Sequence, residues 1–492
     1  MELDNARCYR ICATHDHRFD GRFFVGVTST GVYCRPVCRV RLPKYENCRF
    51  FACAAAAEAA GFRACLRCRP ETSPGTPAWL GTSATVSRAL RLIDQGALDE
   101  ATEEQFAARV GVGARHLRRL FTQYLGAPPA AIARTRRAHF ARRLILDSRL
   151  PMTEVAFSSG FRSIRQFNAA IRGSFRASPT ELRRRARSRP ADGADLVLRL
   201  AYRPPYDWPG VIGFLRVRAI PGVEWVDESA YRRTIEADGV AGTIDVRPLH
   251  DEPYLLLRVH LPHPHALINV VERVRRLFDL GADPVTIGDH LRCDKRLSRI
   301  LSARGGVRVP GAWDGFEIGV RAILGQQVTV KGATTLCGRL VRTFGTPVGQ
   351  PSEQLTHLFP RPATLRQADL STIGIPRSRA ETLRTFAAAV DSGQLPLVSA
   401  ANLDETVAKL CALPGIGPWT AHYIAMRALG ETDALPASDL GVRRALAKNR
   451  LPAPAEVERL AEPWRPWRAY GVMLLWMYAD GSGQPVDAES AA

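Results

Sequence analysis

The sequence predicts a multidomain α+β protein built from four consecutive blocks. Three observations support this prediction. The chain has 492 residues, too many for one hydrophobic core at the usual ~100 to 200 residues per domain. Eight of its 11 cysteines lie in the first seventy residues. In the rest of the chain the apolar residues change from helical spacing to strand-like alternation and back to helical spacing.

Two segments rich in turn-forming or basic residues mark breaks between blocks, at Pro70–Pro77 and Arg183–Gly193. A third boundary follows the alternating region. We therefore divide the chain into residues 1–77, 78–190, 191–300 and 301–492. Helical spacing predicts that the second and fourth blocks are all-α, whereas runs such as LVLRLAY and PYLLLRVHL predict a small antiparallel β-sheet with helices in the third.

The net charge of +20 is concentrated in one block. Residues 101–190 contain 19 arginines and no lysine against five acidic residues, a net charge of +14. A solvated basic face is one interpretation, but charge this localised is typical of phosphate binding, and we expect double-stranded DNA as a partner. The N-terminus lacks the apolar core of a signal peptide and no stretch could span a bilayer, so we expect a cytoplasmic, nucleoid-associated protein without membrane contact.

Four cysteines of the first block form two close pairs, Cys34 and Cys38 in YCRPVCR and Cys65 and Cys68 in ACLRCRP. Two such pairs on separate turns are typical of a tetrahedral zinc site, and crowded cysteines in a reducing compartment favour metal over disulfides. A zinc ion that only stabilises the fold is the simpler interpretation. We interpret the remaining cysteines of the block as ordinary thiols, namely Cys8, Cys12, Cys48 and Cys53.

The stretch from DGRFFVGVTSTGVYCRPVCR to ACLRCRPE resembles the N-terminal domain of the Ada family of alkylation sensors. The resemblance implies that Cys34 is a nucleophile that accepts a methyl group from a methylphosphotriester in DNA, once per molecule. The chemistry is plausible because zinc keeps the thiol deprotonated. Methylation would also remove one negative charge facing the DNA. At about 7 Å and an effective dielectric of about 20 that is worth roughly 2 kcal/mol, which predicts a methylation-switched DNA affinity.

The basic block repeats one design twice. A short helix with a capping threonine and a central alanine leads through a glycine-containing turn into a helix with a basic face, first at residues 102–121 and again at 152–171. A generic helical bundle is the alternative. The stretch resembles the AraC-type DNA-binding domain, including Pro179, and the resemblance implies that six side chains enter successive major grooves: Arg115, Arg118, Arg119, Arg162, Ser163 and Arg165.

The last block contains LPGIGPWTA, in which Gly415 and Gly417 form a tight turn between two helices. Bare backbone N–H groups at such a turn, followed by a helix N-terminus, favour a DNA phosphate. Asp439 follows some twenty residues later in ALPASDLGVRR. Together with YRPPYDWPGVIGFLRVRAIPGVE, FEIGVRAILGQQVTVKGA and WRPWRAYGVMLLWMY, these motifs resemble the AlkA family of helix-hairpin-helix 3-methyladenine DNA glycosylases from Leu200 onward.

The resemblance implies that Asp439 stabilises an oxocarbenium-like state while the N-glycosidic bond of a flipped base is hydrolysed. It also implies a pocket that stacks on electron-poor alkylated purines, lined by Trp419, Tyr423 and Trp476. Core aromatics are the simpler interpretation of these three rings. Bifunctional relatives carry a lysine where this chain has Trp419, so a monofunctional hydrolase is expected. No cysteine follows Cys411, so no iron–sulfur cluster is expected.

The chain departs from the AlkA pattern at one position. The family has an apolar residue after the Gly-Gln of its central helix, which acts as a wedge in the space left by the flipped base, whereas this chain has Gln327. A glutamine can fill that space but loses the apolar stacking contribution. The sequence therefore leaves open how this protein stabilises the opened duplex.

Both ends of the chain together predict a bifunctional alkylation-damage response protein, a DNA glycosylase fused to a methyl-accepting transcriptional activator with RNA polymerase as a further partner. One alternative is a transcription regulator with a catalytically passive glycosylase half. Another is a repair enzyme whose N-terminal half only targets it to DNA. The second methyl-acceptor domain of the Ada family, with its Pro-Cys-His-Arg motif, has no match in the sequence.

Overall fold

The computed structural model describes residues 3–74, 84–185, 196–249, 251–262, 267–349, 351–397, 403–447 and 449–478. Residues 75–77 and 186–193 of the two predicted breaks lie outside this part of the chain. The predicted multidomain α+β architecture is confirmed, with two main sheets among many helices. Within the described residues, no helix is both long and apolar enough to cross a membrane.

The first block is a small sheet flanked by two helices. Its strands are β1 (Phe24–Val27), β2 (Val32–Cys34), β3 (Cys48–Phe51) and β4 (Arg63–Ala64), in the spatial order β3-β1-β2-β4. β1 pairs antiparallel with β2 and β3, whereas β2 and β4 are parallel. The helices are α1 (Asn5–Thr14) and α2 (Ala54–Ala59). The parallel pair brings the ends of β2 and β4 to one edge of the sheet.

The second block is all-α and contains the predicted tandem helix-turn-helix arrangement. Its helices are α3 (Ala84–Asp94), α4 (Ala97–Glu100), α5 (Glu103–Val110), α6 (Ala114–Leu125), α7 (Pro129–Asp147), α8 (Met152–Ser158), α9 (Ile164–Phe175) and α10 (Pro179–Arg184). Thr102 caps α5 in a capping box with Gln105. The expected capping threonine of the second unit is wrong. Pro151 precedes α8 as its N-cap residue, and Thr153 therefore lies inside the first turn.

The third block is a five-stranded antiparallel sheet with helices, as expected. The strands follow the order β5-β9-β8-β7-β6, and are β5 (Leu196–Ala201), β6 (Glu224–Val226), β7 (Tyr231–Ala237), β8 (Val240–Pro248) and β9 (Tyr254–His260). The helices are α11 (Trp208–Arg216), α12 (Leu267–Leu277), α13 (Pro284–Leu291) and α14 (Lys295–Ala303). Alternating side chains of β9 are buried, which explains the period-2 pattern in the sequence.

Beyond residue 303, the regular secondary structure of the described residues is helical except for the two-residue strands β10 (Thr346–Pro347) and β11 (His357–Leu358). Its helices are α15 (Gly315–Leu324), α16 (Val330–Phe344), α17 (Pro362–Leu365), α18 (Arg377–Asp391), α19 (Leu403–Cys411), α20 (Pro418–Ala428), α21 (Leu440–Leu446), α22 (Pro454–Leu460) and α23 (Arg468–Tyr478). Buried residues of α15, α16 and α18 form one core, whereas those of α21–α23 share a core with the five-stranded sheet. α20 contributes to both cores and joins them.

The N-terminal and C-terminal halves contact each other through ion pairs. Arg22 of the first block pairs with Asp283 at the start of α13, and its guanidinium also donates to Thr286 Oγ1 at 3.0 Å. Arg91 of α3 pairs with Glu431 at 3.0 Å, just beyond the C-terminal end of α20. The Arg91–Glu431 contact lies at the opposite end of α20 from the glycine hairpin that precedes this helix.

Candidate functional sites

The structure brings Cys34, Cys38, Cys65 and Cys68 together at the end of the β2–β4 pair. Because Tyr33 lies opposite Ala64 in this parallel pair, Cys34 and Cys65 follow at the same edge. The four Sγ atoms all lie within 4.8 Å of one another. Tetrahedral zinc with Zn–S bonds of about 2.3 Å requires S–S separations of about 3.8 Å, so the cluster fits a single zinc ion.

The electrostatics of the cluster also favour a bound cation. Hydrogen bonding to Cys38 raises the pKa of the Cys34 thiol, and hydrogen bonding to Cys34 lowers the pKa of Cys65. Four adjacent thiolates repel one another in a mostly buried site. A divalent metal ion removes this conflict by binding all four sulfur atoms as thiolates. Among the described residues, this is the one cluster of His, Cys, Asp and Glu side chains arranged to hold a metal.

Arg35, the residue after Cys34, braces the cluster from the protein side. Its backbone N–H donates to Cys68 Sγ at 3.4 Å, and its guanidinium donates to the Cys68 carbonyl at 3.1 Å. The guanidinium is also ion-paired with the buried Asp20. Burial lowers the pKa of Arg35, but its hydrogen bond and charge interaction with Asp20 raise it overall. The arginine therefore remains a fixed cation beside the cluster.

The remaining thiols of the block lie outside the cluster. Cys8 and Cys12 are buried on α1, Cys53 is buried with its Sγ 3.2 Å from the Leu125 carbonyl, and Cys48 is half-buried. Burial raises the pKa of Cys53 to about 11 and that of Cys12 to about 12. These thiols are therefore protonated at neutral pH and poor nucleophiles.

A buried polar cluster connects the thiolate block to the helix-turn-helix block. The Tyr33 hydroxyl lies 3.0 Å from both Glu58 Oε1 and His139 Nε2. Thr135 and Ser174 donate to Glu58 Oε2 at 2.9 and 3.2 Å. Tyr33 and Glu58 belong to the first block, whereas the other three lie on α7 and α9, so the second recognition helix is tied to the strand that ends at Cys34.

The helix-turn-helix faces remain accessible. The five arginines named from the sequence are exposed on or just before α6 and α9: Arg115, Arg118, Arg119, Arg162 and Arg165. Arg118 is ion-paired with Glu103 of α5. Ser163 differs from them, because its hydroxyl accepts the Gln166 backbone N–H at 3.2 Å and caps α9. In the structure the Ser163 hydroxyl is therefore engaged as the N-cap of α9.

Asp439 is held by three N–H donors in the C-terminal half. The Trp419 indole donates to Oδ2 at 2.8 Å, and the Trp476 indole donates to Oδ1 at 2.9 Å. The backbone N–H of Val442 donates to Oδ1 at 2.9 Å, so Asp439 is also the N-cap of α21. A glycine at position 441 permits this arrangement, because a Cβ there would lie 3.1 Å from Oδ1. The carboxylate is thereby fixed in orientation while it remains partly exposed.

Aromatic rings surround this carboxylate. Trp419 stacks on Tyr423 with centroids 5.4 Å apart and an interplanar angle of 19°, and Tyr423 lies 6.0 Å from Trp476. Phe214 of α11 stacks against Trp476 at 6.3 Å. The sequence interpretation did not single out Phe214, although it lies in the GFLRVRAI run. This ring cluster, which we call the aromatic pocket, thus takes Phe214 and Trp476 from the core that contains the five-stranded sheet and Tyr423 from the other core.

Two arginines lie beside these rings, Arg218 and Arg427. None of the hydrogen bonds described for them goes to a carboxylate. Arg218 lies 3.8 Å from the Phe214 ring centroid, and burial lowers the pKa of its guanidinium to about 10. Arg427 donates to the Tyr423 hydroxyl at 2.9 Å. Burial by itself would raise the pKa of Tyr423, but the positive charges of Arg427, Arg218 and Arg321 lower it overall. The pocket therefore combines a carboxylate on one side with positive charge on another.

The glycine hairpin lies next to the pocket. Gly415 has φ +84°, and a Cβ there would overlap Thr382 Oγ1, so only glycine fits without strain. Gly417 is the N-cap of α20 with an ordinary φ of −93° and open space around it. Gln326, which the sequence interpretation missed, donates to the Gly415 carbonyl at 2.9 Å and to Thr420 Oγ1 at 3.0 Å.

Gln327 lies at the tip of the turn between α15 and α16. It is exposed and has φ +56°, in the left-handed region. Arg379 donates to the Gln326 carbonyl at 2.7 Å. Hydrogen bonds of the Gln326 side chain and of the Gln326 carbonyl therefore hold this turn against the hairpin and against α18.

Comparison with protein families assigns each block. The model described as the metal binding domain of Ada matches residues 7–71, and a helix-turn-helix domain model matches residues 106–185. The AlkA N-terminal domain model matches residues 197–314, and the model of HhH-GPD superfamily base excision DNA repair proteins matches residues 320–466. The thiolate cluster lies in the first of these matches. Trp419, Tyr423 and Asp439 lie in the last match, whereas Phe214 lies in the AlkA N-terminal match and Trp476 lies beyond residue 466.

Individual relatives agree with this assignment. The chain is 43% identical to a probable bifunctional transcriptional activator/DNA repair enzyme AlkA of Mycobacterium tuberculosis, over 97% of both chains. It is 35% identical to DNA-3-methyladenine glycosylase 2 of Escherichia coli, over 59% of this chain and 99% of the relative. The solved 3-methyladenine DNA-glycosylase from Archaeoglobus fulgidus has the same fold over 57% of this chain and 97% of its own, with a TM-score of 0.51 and 23% identity. The chain therefore belongs to the AlkA-type family of bifunctional transcriptional activator/DNA repair enzymes.

Proposed function

We propose that this protein joins two alkylation-damage activities in one chain. Its C-terminal half is a monofunctional glycosylase that hydrolyses the N-glycosidic bond of alkylated purines of the 3-methyladenine type. Its N-terminal half is a single-turnover methyl acceptor at Cys34 and a transcriptional activator. The observation that carries the first activity is the Asp439 carboxylate, fixed by the Trp419 and Trp476 indoles within a set of stacked aromatic rings.

In the glycosylase reaction the bond between C1′ and the purine nitrogen breaks, and its electron pair leaves with the base. Positive charge then develops at C1′, where Asp439 can stabilise it because its oxygens are already oriented by donors of the protein. Water adds to C1′ and loses a proton. Trp419, Tyr423 and Trp476 form the base pocket, and an electron-poor alkylated purine gains from stacking on such rings.

The residue type at one hairpin position supports simple hydrolysis over a lyase mechanism. A lyase needs an amine to form a Schiff base with the sugar, and the position that carries a lysine in lyase relatives is Trp419 here. Gly415 and Gly417 form the hairpin that we propose binds the DNA backbone beside the extruded nucleotide.

A product assay tests the reaction type. Methylated duplex DNA incubated with the protein should accumulate abasic sites with an intact phosphodiester backbone. Strand breaks should form only after alkali treatment. Strand cleavage without alkali, together with trapping of a covalent adduct by borohydride, would contradict the monofunctional mechanism.

In the methyl transfer we propose that Cys34 Sγ attacks the methyl carbon of a DNA methylphosphotriester. An S–C bond forms, the C–O bond to the phosphate oxygen breaks, and a phosphodiester anion leaves. Cys34, Cys38, Cys65 and Cys68 would hold one zinc ion, which supplies the charge that keeps the sulfur atoms deprotonated. Arg35, which is ion-paired with Asp20, would hold the Cys68 backbone in place on the buried side of the cluster.

The regulatory part of the proposal relies on the helix-turn-helix block. The exposed Arg115, Arg118, Arg119, Arg162 and Arg165 with Ser163 are the residues that we propose contact promoter DNA in two successive major grooves. RNA polymerase is the partner expected of an activator, and a cytoplasmic, nucleoid-associated location follows from the DNA substrates. Replacing Arg118 or Arg165 should weaken operator binding selectively, whereas an equal loss on random DNA would mean phosphate contact only.

Methyl acceptance is tested with DNA that carries labelled methylphosphotriesters. One label per chain should move to the wild-type protein and none to a Cys34→Ser variant. Cys48→Ser is the matched control, since Cys48 is a half-buried thiol of the same block outside the cluster. Promoter binding should increase only in proteins that accept the label. Label on the Cys34→Ser variant, or equal promoter binding before and after methylation, would contradict the proposal.

A further inference from the structure

Several exposed aliphatic side chains adjoin residues of the proposed base pocket along the chain. Of nine large apolar side chains that are exposed among the described residues, four lie within two positions of a pocket or turn residue. They are Val217, Val328, Val330 and Leu440, with exposed fractions of 54, 39, 42 and 46%. We call these four the aliphatic rim. Single exposed valines are ordinary, but a group of them around one site marks a binding surface.

Each rim residue is connected to the site by the chain or by a hydrogen bond. Leu440 follows Asp439, and Val217 precedes Arg218, which stands over the Phe214 ring. Thr334 Oγ1 donates to the Val330 carbonyl at 3.0 Å and lies 3.4 Å from the Val217 carbonyl, so α11 and α16 contribute neighbouring parts of the rim.

Val328 occupies the most favourable position to enter a DNA base stack. It follows Gln327, whose positive φ turns the chain at the tip between α15 and α16. This tip is rigid, because Gln326 is hydrogen-bonded to the hairpin and to Thr420, and Arg379 binds its carbonyl. A rigid apolar side chain loses little conformational freedom on insertion, in contrast to a flexible glutamine.

The apolar character of the aliphatic rim indicates which part of the DNA it can contact. Phosphates and sugars offer charged or polar surface, which suits the arginines and glycines of the chain. Apolar surface becomes available in a duplex only where base pairs are unstacked, as they are on either side of a nucleotide that has left the stack. The rim therefore fits an opened base-pair step and no intact duplex.

We propose that Val328, and not Gln327, fills the space left by the extruded nucleotide, while Val217, Val330 and Leu440 cover the adjoining base pairs. This inference rests on the glycosylase activity proposed above and adds the residue that stabilises the opened duplex. It gives the departure from the family pattern at Gln327 a physical explanation, because the apolar function has moved by one residue along the same turn.

Insertion can be measured without catalysis. A duplex carrying a tetrahydrofuran abasic analogue with 2-aminopurine as its 3′ neighbour should become fluorescent when the protein unstacks the probe. The full-length wild type should give this increase. Val328→Ser should reduce the increase, or the affinity for this duplex, by about ten-fold, the value of one buried valine side chain. Gln327→Ala should stay within about two-fold of the wild type.

Val197→Ser is the matched control, because Val197 is equally exposed on β5 away from the pocket. An unchanged signal with Val328→Ser, or a loss confined to Gln327→Ala, would overturn the proposal, as would the absence of any increase with the wild type. Fluorescence that depends on Val328 in a protein that releases no base from methylated DNA would instead refute the glycosylase activity and retain the insertion.

Discussion

The thiolate cluster and the carboxylate pocket obtain their geometry in opposite ways. Four cysteines converge at the β2–β4 edge, and like-charged sulfur atoms at such distances need a metal cation to be stable together. Asp439 is oriented by two indole N–H groups and one backbone N–H, all from its own half of the chain. We therefore expect the first site to depend on an added ion for its structure, whereas the second is preorganised by the protein alone.

Removal of zinc should give the largest effect and separate the two sites completely. A Cys38→Ser variant, or chelation of the wild type, should abolish methyl acceptance and unfold the first block, because binding of structural zinc contributes directly to folding. Base release should stay within about two-fold, since none of the Asp439 donors belongs to that block. Metal content, labelled methyl transfer and base release measured on the same sample check this. Equal loss of base release would mean that the halves are energetically coupled, and Cys48→Ser is the control.

Removal of one indole donor should give the next largest effect. Trp419→Phe and Trp476→Phe each retain an aromatic ring but remove one donor to Asp439. Oδ2 then loses the Trp419 indole, whereas Oδ1 loses the Trp476 indole but keeps the Val442 N–H. A hydrogen bond to a charged group is worth about 1.5–3 kcal/mol, which predicts a loss of roughly ten- to one-hundred-fold in single-turnover base release. Trp225→Phe, on β6, should have no effect. A full rate in both pocket variants would show that preorganisation by the indoles is unimportant.

Replacing the two hairpin glycines should affect two different properties, protein stability for Gly415 and DNA affinity for Gly417. Gly415→Ala forces a side chain into the left-handed region and against Thr382, which costs about 1–3 kcal/mol and lowers the melting temperature. Gly417→Ala meets open space and should leave stability unchanged while DNA affinity falls. Thermal unfolding and duplex binding, measured for both variants, distinguish the two roles. If Gly417→Ala bound DNA as the wild type does, the phosphate would not approach that backbone closely.

The smallest effect is expected from Gln326→Ala. This variant loses the two hydrogen bonds that join the turn to the hairpin, each worth about 1 kcal/mol, and should lower base release from duplex DNA by a few-fold. Base release from single-stranded methylated DNA should be less affected, because no base pair has to be opened. A loss that is equal on both substrates would assign Gln326 to the pocket itself.

The sequence predicted most of the architecture because its patterns are local. Two cysteine pairs, the period-2 runs of the sheet and the paired helix-turn-helix units are all visible within short windows, and the predicted fold class is confirmed. The block boundaries at residues 77, 190 and 300 stay predictions. The missed capping arrangement at Pro151 is a local error, since Thr153 is the better capping residue by type but proline starts the helix first.

The relations among distant residues could not be predicted. Trp419, Asp439 and Trp476 were each singled out, yet the direction of both indole N–H groups toward the carboxylate depends on the packing of α20, α21 and α23. Gln326 and Phe214 were missed because each functions through a contact with a residue far away in sequence. Arg427 was missed although its contact with Tyr423 spans one turn of the same helix, because nothing in its spacing distinguishes it from an ordinary surface arginine.

Release of 3-methyladenine from methylated duplex DNA by the wild type and by Asp439→Asn tests the central claim most directly. Asparagine retains an oxygen that can cap α21 and accept from an indole, so the fold and DNA binding should remain while the negative charge at C1′ is lost. We expect release by the wild type and a loss of at least about one-hundred-fold in the variant. Equal release by both proteins, or none by either, would contradict the assignment of Asp439 as the carboxylate of a preorganised glycosylase site.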